Sequence, residues 1–179
     1  DLTLANLNGA ELTDANLSRA DLTGADLSYA FLRGANLSYA DLTDAYLTDA
    51  NLSYADLTGA NLSGADLTGV DLGFANLTYA NLSGADLIGF DLSGANLSGA
   101  DLTDAYLTNA DLSSAGLSDS DLTGANLTGA NLTGVKSGSI TGTPTLPSSY
   151  SVISGHIVGP GANLTYANLS GADLIGFDL

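Results

Sequence analysis

Leucine recurs at every fifth position of the chain from Leu2 to Leu132 without exception. Two residues ahead of the leucines stands alanine, replaced only by Val70, Phe90 and Ser120, and by Val135 at the same position just after the last leucine. Asp or Asn usually separates the two, Ser or Thr usually follows the leucine, and Gly often comes last, so the unit reads Ala-Asp/Asn-Leu-Ser/Thr-Gly. A fixed period of this kind marks a repeat architecture in which neighbouring units complete one another's core.

The period argues against the two commonest ways of burying a leucine row. On an α-helix five residues advance about 500°, a net ~140°, so the leucines spiral around the axis and form no stripe. On a continuous strand an odd period throws successive leucines onto opposite faces. The pattern works if Ala and Leu point inward from a short extended stretch, Asp/Asn points outward, and the last two residues turn a corner. Gly24, Gly34, Gly59 and Gly64 suit that corner, because glycine adopts backbone angles that other residues avoid. The chain is then predicted to coil around a Leu and Ala core, each coil hydrogen-bonded to the coils above and below.

The run ANLSYADLTDAYLTDANLSYADLTGANLSGADLTG resembles the pentapeptide-repeat family, cyanobacterial-type, whose consensus is A(D/N)LXX; the likeness spans residues 1–135 and 162–179. It implies an all-β fold, a right-handed quadrilateral parallel β-helix or solenoid with about four pentapeptides per coil. In that register Leu2, Leu22, Leu42, Leu62, Leu82, Leu102 and Leu122 share one inward core column. Residues 1–135 then make about seven coils and, at ~4.8 Å per coil, a rod about 32 Å long with no concave pocket.

Residues twenty apart stack in outward columns. One column reads Asp1, Asp21, Asp41, Asn61, Asn81, Asp101, Asp121, mostly a row of like charges at strand spacing; another, Asn16, Asn36, Asp56, Asn76, Asn96, is placed to form an amide ladder. The simplest reading of the carboxylates is a solvated, aggregation-resistant surface, with calcium bridging of Asp71, Asp91 and Asp111 as a minor alternative. A hydroxyl row at Thr3, Thr23, Thr43, Ser63, Ser83, Thr103 and Thr123 invites comparison with ice-binding β-helices, although the adjoining Asp columns make the face more charged than such surfaces. Tyr46 and Tyr106 replace Asp/Asn in one column three coils apart, while Tyr54 and Phe74 are twenty apart and expected to touch. These four are the candidate interaction surface. The plainer alternative is that they cover glycine-rich backbone on their own face.

The rule stops at Val135. Residues 136–161 carry three prolines and no leucine phase, and the interval from Leu132 to Leu164 is not a multiple of five, so the register is reset. This stretch reads as an irregular Pro/Gly-containing loop or atypical coil, with SVISGHIV a short hairpin turning at Ser154-Gly155. Residues 162–179 resume the repeat, are expected to continue the same rod, and duplicate residues 75–92 identically.

Composition then narrows function. The 179 residues include 20 acidic side chains against 3 basic ones, Arg19, Arg33 and Lys136, for a formal net charge of −17. That balance argues against direct binding to nucleic-acid phosphates or anionic membranes. No apolar run approaches the ~20 residues of a membrane span, no targeting segment is legible, and the compartment stays open between soluble and extracellular. A chain without Met that opens in mid-pattern reads as an excerpt. With no Cys and one histidine, His156, no metal, cofactor or catalytic constellation is expected, and no P-loop, zinc or nucleophile-elbow motif occurs. The leading expectation is a non-enzymatic structural or interaction module: a rigid acidic rod used for self-association, end-to-end stacking or scaffolding, with itself or another protein as partner. The alternative is a DNA mimic like the family members that act on DNA gyrase, since about one charge per 2 Å approaches the ~1.7 Å spacing of duplex DNA.

Overall fold

The computed structural model describes residues 1–177 and is a right-handed quadrilateral β-helix. Most Asp/Asn positions form a parallel bridge to the residue twenty further on, as in Asn6 to Asp26, Asp26 to Tyr46 and Asn36 to Asp56. Two backbone bonds join each such pair: Leu27 N donates to Tyr46 O at 2.7 Å, and Tyr46 N donates to Ala25 O at 2.9 Å. Every face contributes one bridging residue before the chain turns, so the sheets are built from single-residue rungs. Among the described residues no helix is long and apolar enough to cross a membrane.

The inward columns are leucine and alanine, and from Leu22 to Leu57 every one of them is essentially inaccessible to solvent. Corners are closed locally. The N–H of the residue after leucine donates to the Asp/Asn Oδ1 two positions earlier, 3.1 Å for Thr23 on Asp21 and 3.0 Å for Ser53 on Asn51, while Ala25 N donates back to Leu22 O at 2.9 Å. Asp and Asn therefore do more than face water: they fasten the turn that lets a five-residue unit change direction. The residue after that adopts positive φ, such as Gly59 at 64° and Tyr39 at 58°.

One arc departs from this regularity. Val70 and Phe90, both buried, stand twenty apart in a column that is otherwise alanine at Ala30, Ala50, Ala110 and Ala130. Among the described residues the bonds that Leu67 N, Leu72 N, Asp86 N and Asp91 N would make across the gap between residues 64–72 and 84–91 are not formed, while those on either side are: Leu62 N to Asn81 O is 3.0 Å and Leu77 N to Asn96 O is 2.7 Å. Two bulky side chains stacked where methyl groups set the spacing wedge the coils apart locally, and Ala65 and Ala85 become partly exposed. We call this arc the seam.

Beyond Val135 the ladder continues by different means. Lys136, Thr141 and Thr145 bridge to Gly116, Asp121 and Asn126, the last with a spacing of nineteen rather than twenty. Strands β1 (Ser151–Ile153) and β2 (His156–Val158) then form an antiparallel hairpin whose two turn residues, Ser154 and Gly155, both have positive φ. Ile157 and Val158 are fully buried, Ile157 N donates to Ser137 Oγ at 2.8 Å, and the hairpin covers the apolar column ending at Leu132 and Val135. Tyr150 donates its hydroxyl to Pro160 O at 2.6 Å, and burial pushes its phenol above the ordinary value. Asn163 finally bridges back to Lys136, closing a turn longer than any in the regular repeat.

Candidate functional site

A closed core leaves the flanks as the exposed surface of the regular coils. The most organised feature there is a corner column. Tyr54 and Phe74 stack with ring centroids 5.2 Å apart and planes 8° from parallel, and the Arg33 guanidinium lies 4.9 Å from the Tyr54 centroid. The Phe74 ring extends over Gly94, where an added Cβ would approach it to 2.6 Å. Both rings remain more than half exposed. The result is a cation resting on two stacked aromatics in an otherwise acidic rod. Arg19 repeats the theme over Tyr39 at 5.8 Å. Arg33 precedes Tyr54 by one coil plus one step, a spacing that identifies the contact once the coil length is known.

Tyr46 and Tyr106 lie in one column with Asp66 and Asp86 between them, and Tyr46 bridges to Asp26 and Asp66. Three coils at ~4.8 Å, one junction of them widened at the seam, keep the two rings at least about 14 Å apart, each half exposed. They do not share the corner of Tyr54 and Phe74, so the four candidates form one stacked pair and two separate single positions. Beside Tyr46 lies a shallow concavity lined by Leu4, Asn6, Gly24, Asp26 and Ser28.

Tyr39 and Tyr79 follow a rule that the five-residue pattern conceals. A side chain at one corner is commonly followed, one coil later, by a glycine: Leu4 by Gly24, Asp44 by Gly64, Tyr39 by Gly59, Tyr79 by Gly99 and Asp104 by Gly124. In each case a Cβ on that glycine would come within 2.1 to 2.7 Å of the side chain below it. At Tyr39 above Arg19 and Phe74 above Tyr54 cation–aromatic or aromatic stacking takes the place of glycine, while Asp49 stands above Tyr29 with neither.

The polar columns are also more engaged than solvated. Thr23 Oγ1 donates to Asp21 Oδ1 at 2.7 Å and Thr123 Oγ1 to Asp121 Oδ1 at 2.6 Å. These hydroxyl and backbone donors hold the Asp21, Asp26, Asp66 and Asp121 carboxyls below the ordinary carboxylate range, the Ser/Thr side-chain bond being the largest cause. The hydroxyl row thus has partners of its own, contrary to an ice-binding reading that needs it free. The expected amide ladder runs partly through hydroxyls, with Asn76 Nδ2 donating to Thr58 Oγ1 at 2.8 Å and Asn96 Nδ2 to Thr78 Oγ1 at 2.9 Å. Asp71, Asp91 and Asp111 do not assemble a calcium site: Asp91 bridges to Asp111, Asp71 lies across the seam, and the described residues contain no three-member acidic or histidine cluster placed to hold a metal. His156 donates from Nδ1 to Ser137 O at 2.6 Å, a bond that ties the hairpin to the rod.

Pentapeptide repeats match the chain in eight copies, together covering residues 1–136 and 160–179. No curated protein matches the sequence. Among solved structures, the heterocyst-differentiation regulator HetL from the cyanobacterium Nostoc sp. strain PCC 7120 is 41% identical, with a TM-score of 0.32, over 74% of this chain and 60% of its own. A pentapeptide repeat protein of the Arabidopsis thaliana thylakoid lumen is 40% identical over 57% of this chain and 71% of its own, with a TM-score of 0.37. A trypsin-treated variant of QnrB1, a plasmid-mediated fluoroquinolone resistance protein, is 26% identical over 76% and 84%, with a TM-score of 0.40. The chain spans about 60% of the length of HetL. With the repeat matched along most of the chain and its twenty-residue coil visible in the bridges, this protein belongs to the pentapeptide-repeat family.

Proposed function

We propose that this chain is a non-enzymatic structural and interaction module, a rigid acidic rod that associates through its flanks and coil faces with further copies or with another protein. One observation carries the reading: the interior is filled by leucine and alanine, and the exposed aromatics stand in ordered outward columns, with Arg33, Tyr54 and Phe74 as a preformed anchor. Rigid aromatic and arginine groups lose little conformational freedom on binding. Sedimentation velocity across a hundredfold concentration series tests the self-association branch, with species larger than a monomer expected at high concentration. A monomer throughout removes that branch and leaves the rod to act through a different protein.

A second reading, DNA mimicry, draws support from charge density. A net charge of −17 on a rod of about seven coils comes within a factor of two of the duplex spacing. Gyrase supercoiling that is unaffected by micromolar protein disposes of it.

A further inference from the structure

The four sides of the rod differ in charge. The side that bridges from Asn16 to Lys136 at intervals of twenty, taken with its two corners, holds Arg19, Arg33 and Lys136, all the basic residues of the chain, against Asp14, Asp56 and Asp119. The opposite side, from Asn6 to Asn126 with its corners, holds Asp26, Asp44, Asp49, Asp66, Asp86 and Asp104 and no base. On a rod of net charge −17, the balanced side is where a second copy approaches without repulsion. We infer that two copies pair antiparallel along the Asn16–Lys136 side, about a twofold axis that passes between the coils of Asp56 and Asn76. The inference rests on the self-association branch of the proposed function and specifies its surface and geometry.

This side is straight, and its polar groups are already partnered. Its bridges run without interruption from Asn16 through Asp56 and Asn96 to Lys136, whereas the two sides that cross the seam lack the bridges Asp66 to Asp86 and Asp71 to Asp91. Ser38 Oγ donates to Asn36 Oδ1 at 2.7 Å, and Asn76 Nδ2 donates to Asp56 Oδ1 at 3.2 Å. Covering such groups strands few donors or acceptors. Exposed rings frame the strip, Tyr54 and Phe74 on one corner and Tyr39 and Tyr79 on the other, so anchors stand on both edges of a low polar floor.

The antiparallel register matches charge at each level. Asp56 faces Asn76 of the second copy and Asn36 faces Asn96 of the second copy, so no two carboxylates confront each other on the strip. A parallel twofold pair instead sets Asp56 against its own counterpart. On one corner Tyr54 lies level with Phe74 of the second copy, which gathers four rings about the axis. On the other corner Arg19 lies level with Asp119 of the second copy, and symmetry makes that pair twice. Both residues are exposed, and within one chain they stand five coils, about 24 Å, apart, so they meet only between copies. Each copy uses the same surface, and the assembly closes at two.

Exchanging the charges tests the register. Arg19→Glu and Asp119→Arg each turn both reciprocal pairs into like charges, and the double variant Arg19→Glu with Asp119→Arg restores them. The corner at residue 119 has φ of 61°, and Arg19 shows that such a corner, at φ of 60°, accepts arginine. Asp49→Arg makes the same charge change as Asp119→Arg at the diagonally opposite corner. Sedimentation velocity of the 179-residue chain should give a dimer for the unaltered protein and for Asp49→Arg. Each single exchange should weaken it at least about tenfold, with most of the loss recovered in the double variant. Circular dichroism should be unchanged throughout. A dimer indifferent to residues 19 and 119, a double variant as weak as the single ones, Asp49→Arg as weak as Asp119→Arg, or an unaltered species larger than a dimer overturns this contact while self-association stands. An unaltered chain that stays monomeric overturns both.

Discussion

The seam and the coils immediately before it share one repeat and nearly one composition, yet only one of them closes its ladder. Around Leu57 the small inward position is alanine, the coils meet through bonds of 2.7 to 3.0 Å, and no inward side chain reaches solvent. Around Leu67 the same position holds Val70 under Phe90, and the coils part. The comparison teaches that alanine sets the distance between coils: leucine supplies the buried area, but the methyl group lets the backbones approach to hydrogen-bonding range.

The largest expected effect comes from making one substitution in both settings. Leu57→Ala leaves a cavity between coils clamped on both sides and should cost about 3 kcal/mol. Leu67→Ala, where the coils are free to settle, should cost about 1 kcal/mol less, as read from urea denaturation. Equal losses would mean that the seam is as rigid as its neighbours.

Glycine corners give the next contrast. Gly99→Ala places a Cβ 2.4 Å from the Tyr79 ring at φ of 67°, and should cost roughly 2 to 3 kcal/mol. Gly89→Ala has similar φ but open space, and should lose only the left-handed penalty of about 1 kcal/mol. Thermal melts of the two variants separate steric overlap from backbone strain.

Closing the seam is the third test. Val70→Ala with Phe90→Ala should let Leu67 N and Leu72 N find their acceptors, slowing exchange of those two amides by about tenfold while Leu57 N is unchanged. Unaltered exchange at Leu67 would remove these side chains as the cause of the gap.

The smallest effect is electrostatic. The Asp21, Asp26, Asp66 and Asp121 carboxyls lie below the ordinary range when folded, so as pH falls the unfolded chain takes up protons first. Stability tied to them is therefore full above about pH 4 and is lost as pH falls through the folded values. Replacing all four by asparagine, which closes the same turn at Asn36 and Asn76, should flatten that part of the melting-temperature profile.

Much of this architecture is written plainly in the chain. The five-residue leucine row implies inward Leu and Ala and a corner at Ser/Thr-Gly, and the Tyr54–Phe74 contact follows from a spacing of twenty. The coil length itself is legible too, in pairs such as Tyr79 with Gly99, but only to a reader comparing corners rather than leucines, because the leucine row repeats identically under any multiple of five. The seam is half visible: Val70 and Phe90 stand out as exceptions, yet their consequence depends on one lying above the other. The contact of Arg33 is hidden because its aromatic partner is a coil away and one position offset. The longer closing turn from Lys136 to Asn163 is beyond reach, since its length depends on how the hairpin folds back on Ser137.

The twenty-residue separation between bridged partners, kept from Asn6 to Thr141, bears on how this part of the chain acquires its shape. In most β architectures a longer polypeptide brings more distant segments together and folds more slowly. Here each added coil searches only for the one just completed, so the entropy of closing each loop is the same late in the chain as at its start. Growth can proceed as fast as the ribosome delivers residues, with every finished layer serving as the template for its successor.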